Sequence, residues 1–287
     1  MVEVSCNLCG MEDSAPVSAG NGVRFVRCGN CGLVYLKSRP AETELRRLYA
    51  GYHQREGKTG DTWSAFMRDV FRETAGLLGS PGRGTGTGRL LDVGCAFGDF
   101  VALMRERGWR AEGVDPSPVV TAAAARRGIP VRTGTVEDFD APPCSFEAVT
   151  MFYVLEHLAD PMGALRKVFR LLSPGGTLLV RVPHTTPVVR MLGSAGIGAS
   201  LYDPPFHLYD FSPAVLRRML EETGFADART FPGRTTRPAG LGALSATLFF
   251  GALARGCYAA SGGRFLLPGV SKTTIAVKPA GRPEADG

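Results

Sequence analysis

No stretch of this chain reaches the roughly 18 uninterrupted apolar residues that a membrane-spanning helix needs. None carries five or more like charges in a row either. The first absence argues against a bilayer span, the second against a polyelectrolyte tail. The nearest apolar run, Leu241–Ala254, is uncharged but stops at Arg255, so it reads as a buried or lid-forming helix. Met1 to Cys6 holds neither a charged leader nor an apolar core segment, so no secretory signal is expected. Histidines number only four, which keeps the roster of proton carriers short. The glycine-rich stretch Ser80–Arg89 lacks both a preceding strand and a GK[ST] ending, and so reads as a linker and not a phosphate loop.

What is present is enough for one full α/β domain and a small appendage, since the chain has 287 residues. Its 33 basic and 27 acidic residues leave a formal charge of +6. The excess is scattered through the last third, which suits a solvated basic surface better than a track for nucleic acid. A nucleic-acid partner is therefore not expected.

Four of the seven cysteines pair off as Cys6-Asn-Leu-Cys9 and Cys28-Gly-Asn-Cys31, with 18 residues between the pairs. That spacing belongs to a four-thiolate zinc site: each CxxC turn aims two sulfurs at one point, and two turns complete a tetrahedron. With no open position, such a zinc is structural. Val23–Arg27 and Leu33–Leu36 alternate as the strands of a ribbon hairpin should. The isolated cysteines do not form a disulfide framework, so a reducing, cytoplasmic compartment is expected. Residues 1–40 then form the zinc ribbon and 41–80 a helical segment or lid, with predicted helices at Glu42–Gly51 and Thr62–Leu78. Asp61 is the expected N-cap of the second, whose apolar stripe runs Trp63, Phe66, Met67, Val70, Phe71 and Leu77.

Residues 81–287 alternate strand with helix, the pattern of a parallel sheet. A strand over Arg89–Val93 ends in Asp92-Val-Gly94-Cys95-Ala-Phe-Gly98, and a helix follows from Asp99. A second strand, Ala111–Val114, ends at Asp115, and Pro116-Ser117-Pro118 opens the next helix. A dinucleotide fingerprint would read GxGxxG and hold a pyrophosphate on the helix N-terminus. Here an acidic residue, Asp92, occupies the turn; it would repel a diphosphate and suits a ligand with a cationic amino group. Asp115 is placed to accept hydrogen bonds from two ribose hydroxyls.

Those two segments, with Phe146-Glu-Ala-Val-Thr-Met-Phe-Tyr-Val-Leu-Glu156-His157, Leu172-Ser-Pro-Gly-Gly-Thr-Leu and His207-Leu-Tyr-Asp-Phe-Ser-Pro…Glu222-Thr-Gly-Phe, resemble class I S-adenosylmethionine-dependent methyltransferases. The blocks run in order over roughly residues 88–280. The resemblance implies a Rossmann-like, doubly wound α/β sheet of seven strands with an antiparallel edge, and S-adenosylmethionine as cofactor. It further implies that Gly94, Cys95 and Gly98 line the methionine portion, Asp115 the ribose, and Val136 and Glu137 the adenine, with Phe152 and Tyr153 covering the cofactor. A zinc ribbon joined to such a domain also occurs in this superfamily. Two departures stand out: Ala96 replaces a glycine, which is tolerated if its φ is negative, and Glu147 replaces an aspartate.

Methyl transfer needs a base only when the nucleophile is a hydroxyl, an acidic carbon or a protonated amine. The candidates are His207, then His157, then His184, with Tyr153 and His53 behind them. His207 closes an insertion, Thr185–Phe206, expected to form a lid over the acceptor. The acceptor is expected to be a small molecule, such as a sugar, a natural product or a lipid intermediate. The chief rival is a zinc-ribbon nucleic-acid-binding protein whose α/β domain senses a cofactor without catalysis; a nicotinamide-dependent oxidoreductase is disfavoured by Asp92.

Overall fold

The computed structural model describes residues 1–20, 23–51, 59–82, 88–192 and 202–280. The cysteine-bearing segment supplies β1 (Val2–Glu3), β2 (Ser14–Gly20), β3 (Val23–Cys28), β4 (Val34–Leu36) and β5 (Ser38–Arg39). Two helices follow, α1 (Glu42–Ala50) and α2 (Gly60–Leu78). The cap of α2 is Thr59, not Asp61: the Thr59 hydroxyl accepts from the Thr62 amide, and the Thr62 hydroxyl accepts from the Thr59 amide. Trp63, Met67, Val70, Phe71 and Ala75 are buried along one stripe of that helix, whereas Leu77 faces outward.

Beyond the linker come β6 (Arg89–Val93), α3 (Asp99–Glu106), β7 (Arg110–Asp115), α4 (Pro118–Arg126), β8 (Val131–Thr133) and β9 (Phe146–Phe152). Then follow α5 (Pro161–Leu171), β10 (Leu172–Val182), α6 (Thr186–Leu192), β11 (Tyr209–Asp210), α7 (Pro213–Glu222), β12 (Ala226–Phe231), α8 (Leu241–Ala260) and β13 (Lys272–Val277). The main sheet has seven strands in the order β12-β13-β10-β9-β6-β7-β8. Strands β8, β7, β6, β9 and β10 are mutually parallel, and β13 runs antiparallel to both β10 and β12. This is the expected Rossmann-like sheet with its antiparallel edge. The chain winds outward from β6 through β7 to β8, then returns to β9 on the other side of β6. Ligands of open α/β sheets bind outside the carboxyl ends of the strands at such a reversal.

The linker is held at both described ends. The Gly82 and Gly88 amides donate to the buried Glu147 carboxylate at 3.1 Å each. The longer side chain standing in for aspartate thus fastens the chain just before β6. Arg181, fully buried in β10, donates to the Tyr153 hydroxyl, Thr273 Oγ1 and the Arg234 carbonyl, so its charge is not left bare.

The cysteine segment is not a free appendage. β2, β3 and β4 form a four-stranded antiparallel sheet whose fourth member is β11 from the main domain, with Tyr209 opposite Tyr35 and Asp210 opposite Val34. The Leu36 amide donates to the Leu208 carbonyl at 2.8 Å, and the buried Arg39 guanidinium donates to the Tyr209 hydroxyl and the Ala159 carbonyl. Phe25 stacks on Tyr202 with ring centroids 4.1 Å apart. Ribbon side chains and those of the main sheet's α5 and α7 layer belong to one apolar core.

Two expectations change. Ala96 stands at φ +47°, in the left-handed region and not at negative φ. The turn needs that backbone so that the Ala96 amide can reach Asp115, at a cost of roughly 1–2 kcal/mol for an L-residue. The apolar run beginning at Leu241 passes straight through Arg255, since one arginine with a long stem does not interrupt a helix. It lies on the surface, not in a core: Phe249 is 63% exposed and Phe250 53%. Among the described residues, α8 is the one helix long and apolar enough, by length and composition, to cross a membrane.

Candidate functional site

At the carboxyl edge of β6, β7 and β9 lies a cavity of about 650 Å³, within the range of cofactor and small-molecule sites. Its floor is the turn after β6. Gly94 is at φ +70°, and a Cβ there would sit 2.3 Å from Val154 Cγ2, so only glycine fits. Beside it stands Asp115 at the end of β7. Its Oδ2 accepts the Ala96 amide and its Oδ1 the Ser117 amide, both at 2.9 Å. Each oxygen has a second lone pair, and the side chain lines the cavity. Burial pushes this carboxyl up to about 6, with the two amides pulling the other way. Val136 and Glu137 form the wall beyond Asp115, while Phe152, Tyr153 and Val154 form the wall after β9.

Asp92 is not in that wall. It lies within β6, a central strand covered on both faces; its carboxylate is buried and accepts the Thr150 hydroxyl at 2.6 Å. Burial raises it to about 7. A direct pairing between Asp92 and a ligand's amino group is therefore not what this geometry offers. Cys95 is likewise buried behind the turn, facing Gly113, and Gly98 opens α3 without lining the cavity.

His157 and His207 also line the cavity, and their rings meet edge to face at 4.8 Å between centroids. His157 Nδ1 lies 3.0 Å from the Phe206 carbonyl. A carbonyl only accepts, so this contact assigns the proton to Nδ1 and makes Nε2 the basic nitrogen. The Tyr49 hydroxyl donates to the same carbonyl. His184 is elsewhere: it is buried, does not line the cavity, and burial holds its pKa below the usual range. His53 lies outside the described residues.

Six residues of the helical segment that the sequence did not single out as ligands also line the cavity: Glu42, Leu45, Arg46 and Tyr49 of α1, and Trp63 and Phe66 of α2. Arg46 pairs with Asp138 at 3.1 Å, drawing α1 across the wall that carries Glu137. The amphipathic stripe of α2 already contained Trp63 and Phe66. Nothing in the stripe said that its first turn would overhang a sheet edge.

Behind the histidines lies a second group without a counterpart in the sequence reading. Glu156 is fully buried, and neither of its oxygens has a hydrogen-bond partner among the described residues. One ligating atom each from Glu156, His157 and His207 lies within 4.8 Å of the others. Burial pushes Glu156 up to about 8, Lys272 working against the shift and Asp210 with it. The folded state therefore holds a proton that the unfolded chain releases above its ordinary value of 4.5. Stability from this group is full below that value and is lost as pH rises toward about 8. Glu156→Gln, which keeps the neutral shape, should gain stability relative to wild type across that window at up to about 1.4 kcal/mol per pH unit. Urea unfolding of both proteins over a pH series checks it; a difference independent of pH would contradict the assignment.

The four ribbon cysteines converge. Cys6 and Cys31 sulfurs are 3.3 Å apart, Cys9 and Cys28 3.5 Å, and all four lie within 4.8 Å of one another. The Gly10 and Gly32 amides donate to the Cys6 and Cys28 carbonyls, closing the two knuckles.

A glycine turn followed by an acidic strand end, at the reversal of a parallel sheet, places this chain among doubly wound α/β proteins with their ligand site at that reversal. Residues 53–229 match a family described as "Methyltransferase domain", and the chain belongs to that family. Over 133 residues it is 33% identical to a ubiquinone biosynthesis O-methyltransferase of Xanthomonas campestris. That match covers 43% of this chain and 56% of the relative, so the chain spans little more than half the length of that curated protein. A SAM-dependent methyltransferase of Archaeoglobus fulgidus superposes with a TM-score of 0.52 at 17% identity, over 79% of this chain and 98% of the other. A Burkholderia thailandensis 1,6-didemethyltoxoflavin-N1-methyltransferase gives 0.54 at 17% identity, over 92% and 99%. At such identities the likeness is one of fold.

Proposed function

We propose that this chain transfers a methyl group from S-adenosylmethionine to a small-molecule acceptor, and that its ribbon holds a structural zinc ion. The observation that carries the first reading is that Gly94, Asp115 and Val136 line one and the same cavity as His157 and His207. The donor set fits the cofactor: Asp115 is fixed by two backbone amides and keeps lone pairs for paired hydroxyls, and the bare backbone of Gly94 admits a close ligand. When bound, the sulfonium cofactor supplies an electrophilic methyl carbon. The chain's part is to hold the acceptor in line with it, shut out water with Trp63, Phe66 and Phe152, and take a proton at His157 Nε2 or at His207. Proximity of this kind is worth on the order of 7–11 kcal/mol.

The zinc reading rests on four sulfurs already gathered within 4.8 Å, since tetrahedral Zn–S bonds of about 2.3 Å need sulfurs that close. The outer edge of β4, which a free ribbon could offer to a partner, is taken by β11.

Calorimetry should show heat on adding S-adenosylmethionine and none on adding NAD. Asp115→Asn should weaken cofactor binding about tenfold to a hundredfold, because hydrogen bonds to a charged acceptor are worth roughly 1.5–3 kcal/mol. Equal affinity of variant and wild type, or no binding by either, would refute the reading.

A further inference from the structure

From the exposed face of α8 we infer that this chain seats itself on an anionic lipid surface. The helix is 20 residues long, about 30 Å, and its only charged residue is Arg255. One stripe packs inward: Gly251 and Ala254 are buried, Gly251 lies against Thr235, and the Tyr258 hydroxyl donates to the Thr230 carbonyl at 2.9 Å. Around the rest of the helix stand Leu241, 85% exposed, with Leu248, Phe249, Phe250 and Leu253; Phe265, just past the helix, is 49% exposed. Soluble chains seldom present so many large apolar side chains together unless something covers them.

Charge identifies the cover. Residues 228–280 contain Arg229, Arg234, Arg237, Arg255, Arg264, Lys272 and Lys278 and not one acidic residue. Lys272 is buried and Arg237 pairs with Asp69, but Arg229, Arg234 and Arg264 are exposed and Arg255 is half-buried, with no ion pair among the described residues. Asp69 and Glu73, the carboxylates that approach this segment, are engaged by Arg237 and by the Arg234 amide, so an apolar helix bordered in sequence by exposed arginines matches a bilayer surface rich in anionic headgroups. Two copies of the chain meeting on this face would set like charges against each other. The inward stripe stays on the domain, so the helix lies in the plane of the interface and does not cross it.

The segments flanking α8 line the cavity through Thr236 and Ser271. An apolar acceptor could thus pass from the bilayer to the site, a corollary that rests on the methyl-transfer reading. The binding itself does not, and is tested without cofactor. The full chain is sedimented with vesicles containing about 30% phosphatidylglycerol in phosphatidylcholine, with pure phosphatidylcholine vesicles, and with the first kind in roughly 0.5 M salt. Binding to the anionic vesicles is expected to exceed both controls by at least about tenfold. The double variant Phe249→Ser, Phe250→Ser, distant from the cavity, should lose binding by about tenfold or more while keeping its melting temperature and its heat of cofactor binding. No partition onto anionic vesicles would overturn the inference. So would a dimer in light scattering that the double variant dissolves, in a protein indifferent to vesicles.

Discussion

On the proposed zinc reading, stripping the metal from the ribbon, or replacing Cys28 with Ser, should unfold the first 40 residues and bring turnover down at least a hundredfold. Apparent zinc binding in small four-ligand modules is worth roughly 10–16 kcal/mol, as much as or more than the whole stability of an ordinary domain. Cys28 is buried, so a hydroxyl there leaves both a lost ligand and a polar atom inside. The damage should travel, because β4 pairs with β11 and the Leu36 amide holds the Leu208 carbonyl, next in sequence to His207. Loss of the ribbon therefore frees the backbone that sets His207 in the cavity. A fall of melting temperature by at least about 10 °C is expected, with zinc content by mass spectrometry tracking the near-ultraviolet dichroism. Metal-free protein that melts and turns over like wild type would dismiss a structural zinc.

His207→Ala and His157→Ala should each lower turnover about a hundredfold, the lower end of what a positioned general base contributes, with cofactor affinity close to wild type. Both rings line the cavity, and the contact with the Phe206 carbonyl sets His157 in the tautomer that accepts at Nε2. His184→Ala should behave differently: buried away from the cavity, it should lose stability and keep its turnover per folded molecule. Turnover measured with single-turnover kinetics, against cofactor affinity by calorimetry, separates the cases. If neither cavity histidine matters, the acceptor reacts without a histidine base.

The sheet, and the Gly94 turn and Asp115 strand end that line the cavity, were legible because they are local. A glycine turn, an aspartate at a strand end and a proline-opened helix each announce themselves within a few residues, and the order of blocks supplies the topology. The cysteine spacing is local in the same sense. Directions of side chains were not legible. Asp92 and Gly94 are two residues apart, yet one carboxylate turns into the sheet toward Thr150 while the glycine faces the ligand space. A central strand buried on both faces carries no alternation to betray this. The fate of α8 was hidden for another reason: an apolar composition says that a face will be covered, and not whether the chain itself supplies the cover. Tertiary neighbours such as Arg46, Tyr49 and Glu156 gave no signal, because their roles depend on which helix crosses which strand end.

The strand shared between ribbon and main domain also bears on how the chain is made. The cysteine ribbon emerges from the ribosome before the main domain, and its outer edge waits for a partner far down the chain; the contact of Arg39 with Tyr209 spans 170 residues. At about 5–20 residues per second that is a delay of roughly ten seconds or more, during which β4 offers an open edge to any neighbouring nascent chain. Completion of this small sheet thus trails the synthesis of its own first three strands, and crowding by sister polypeptides is the hazard it must outrun.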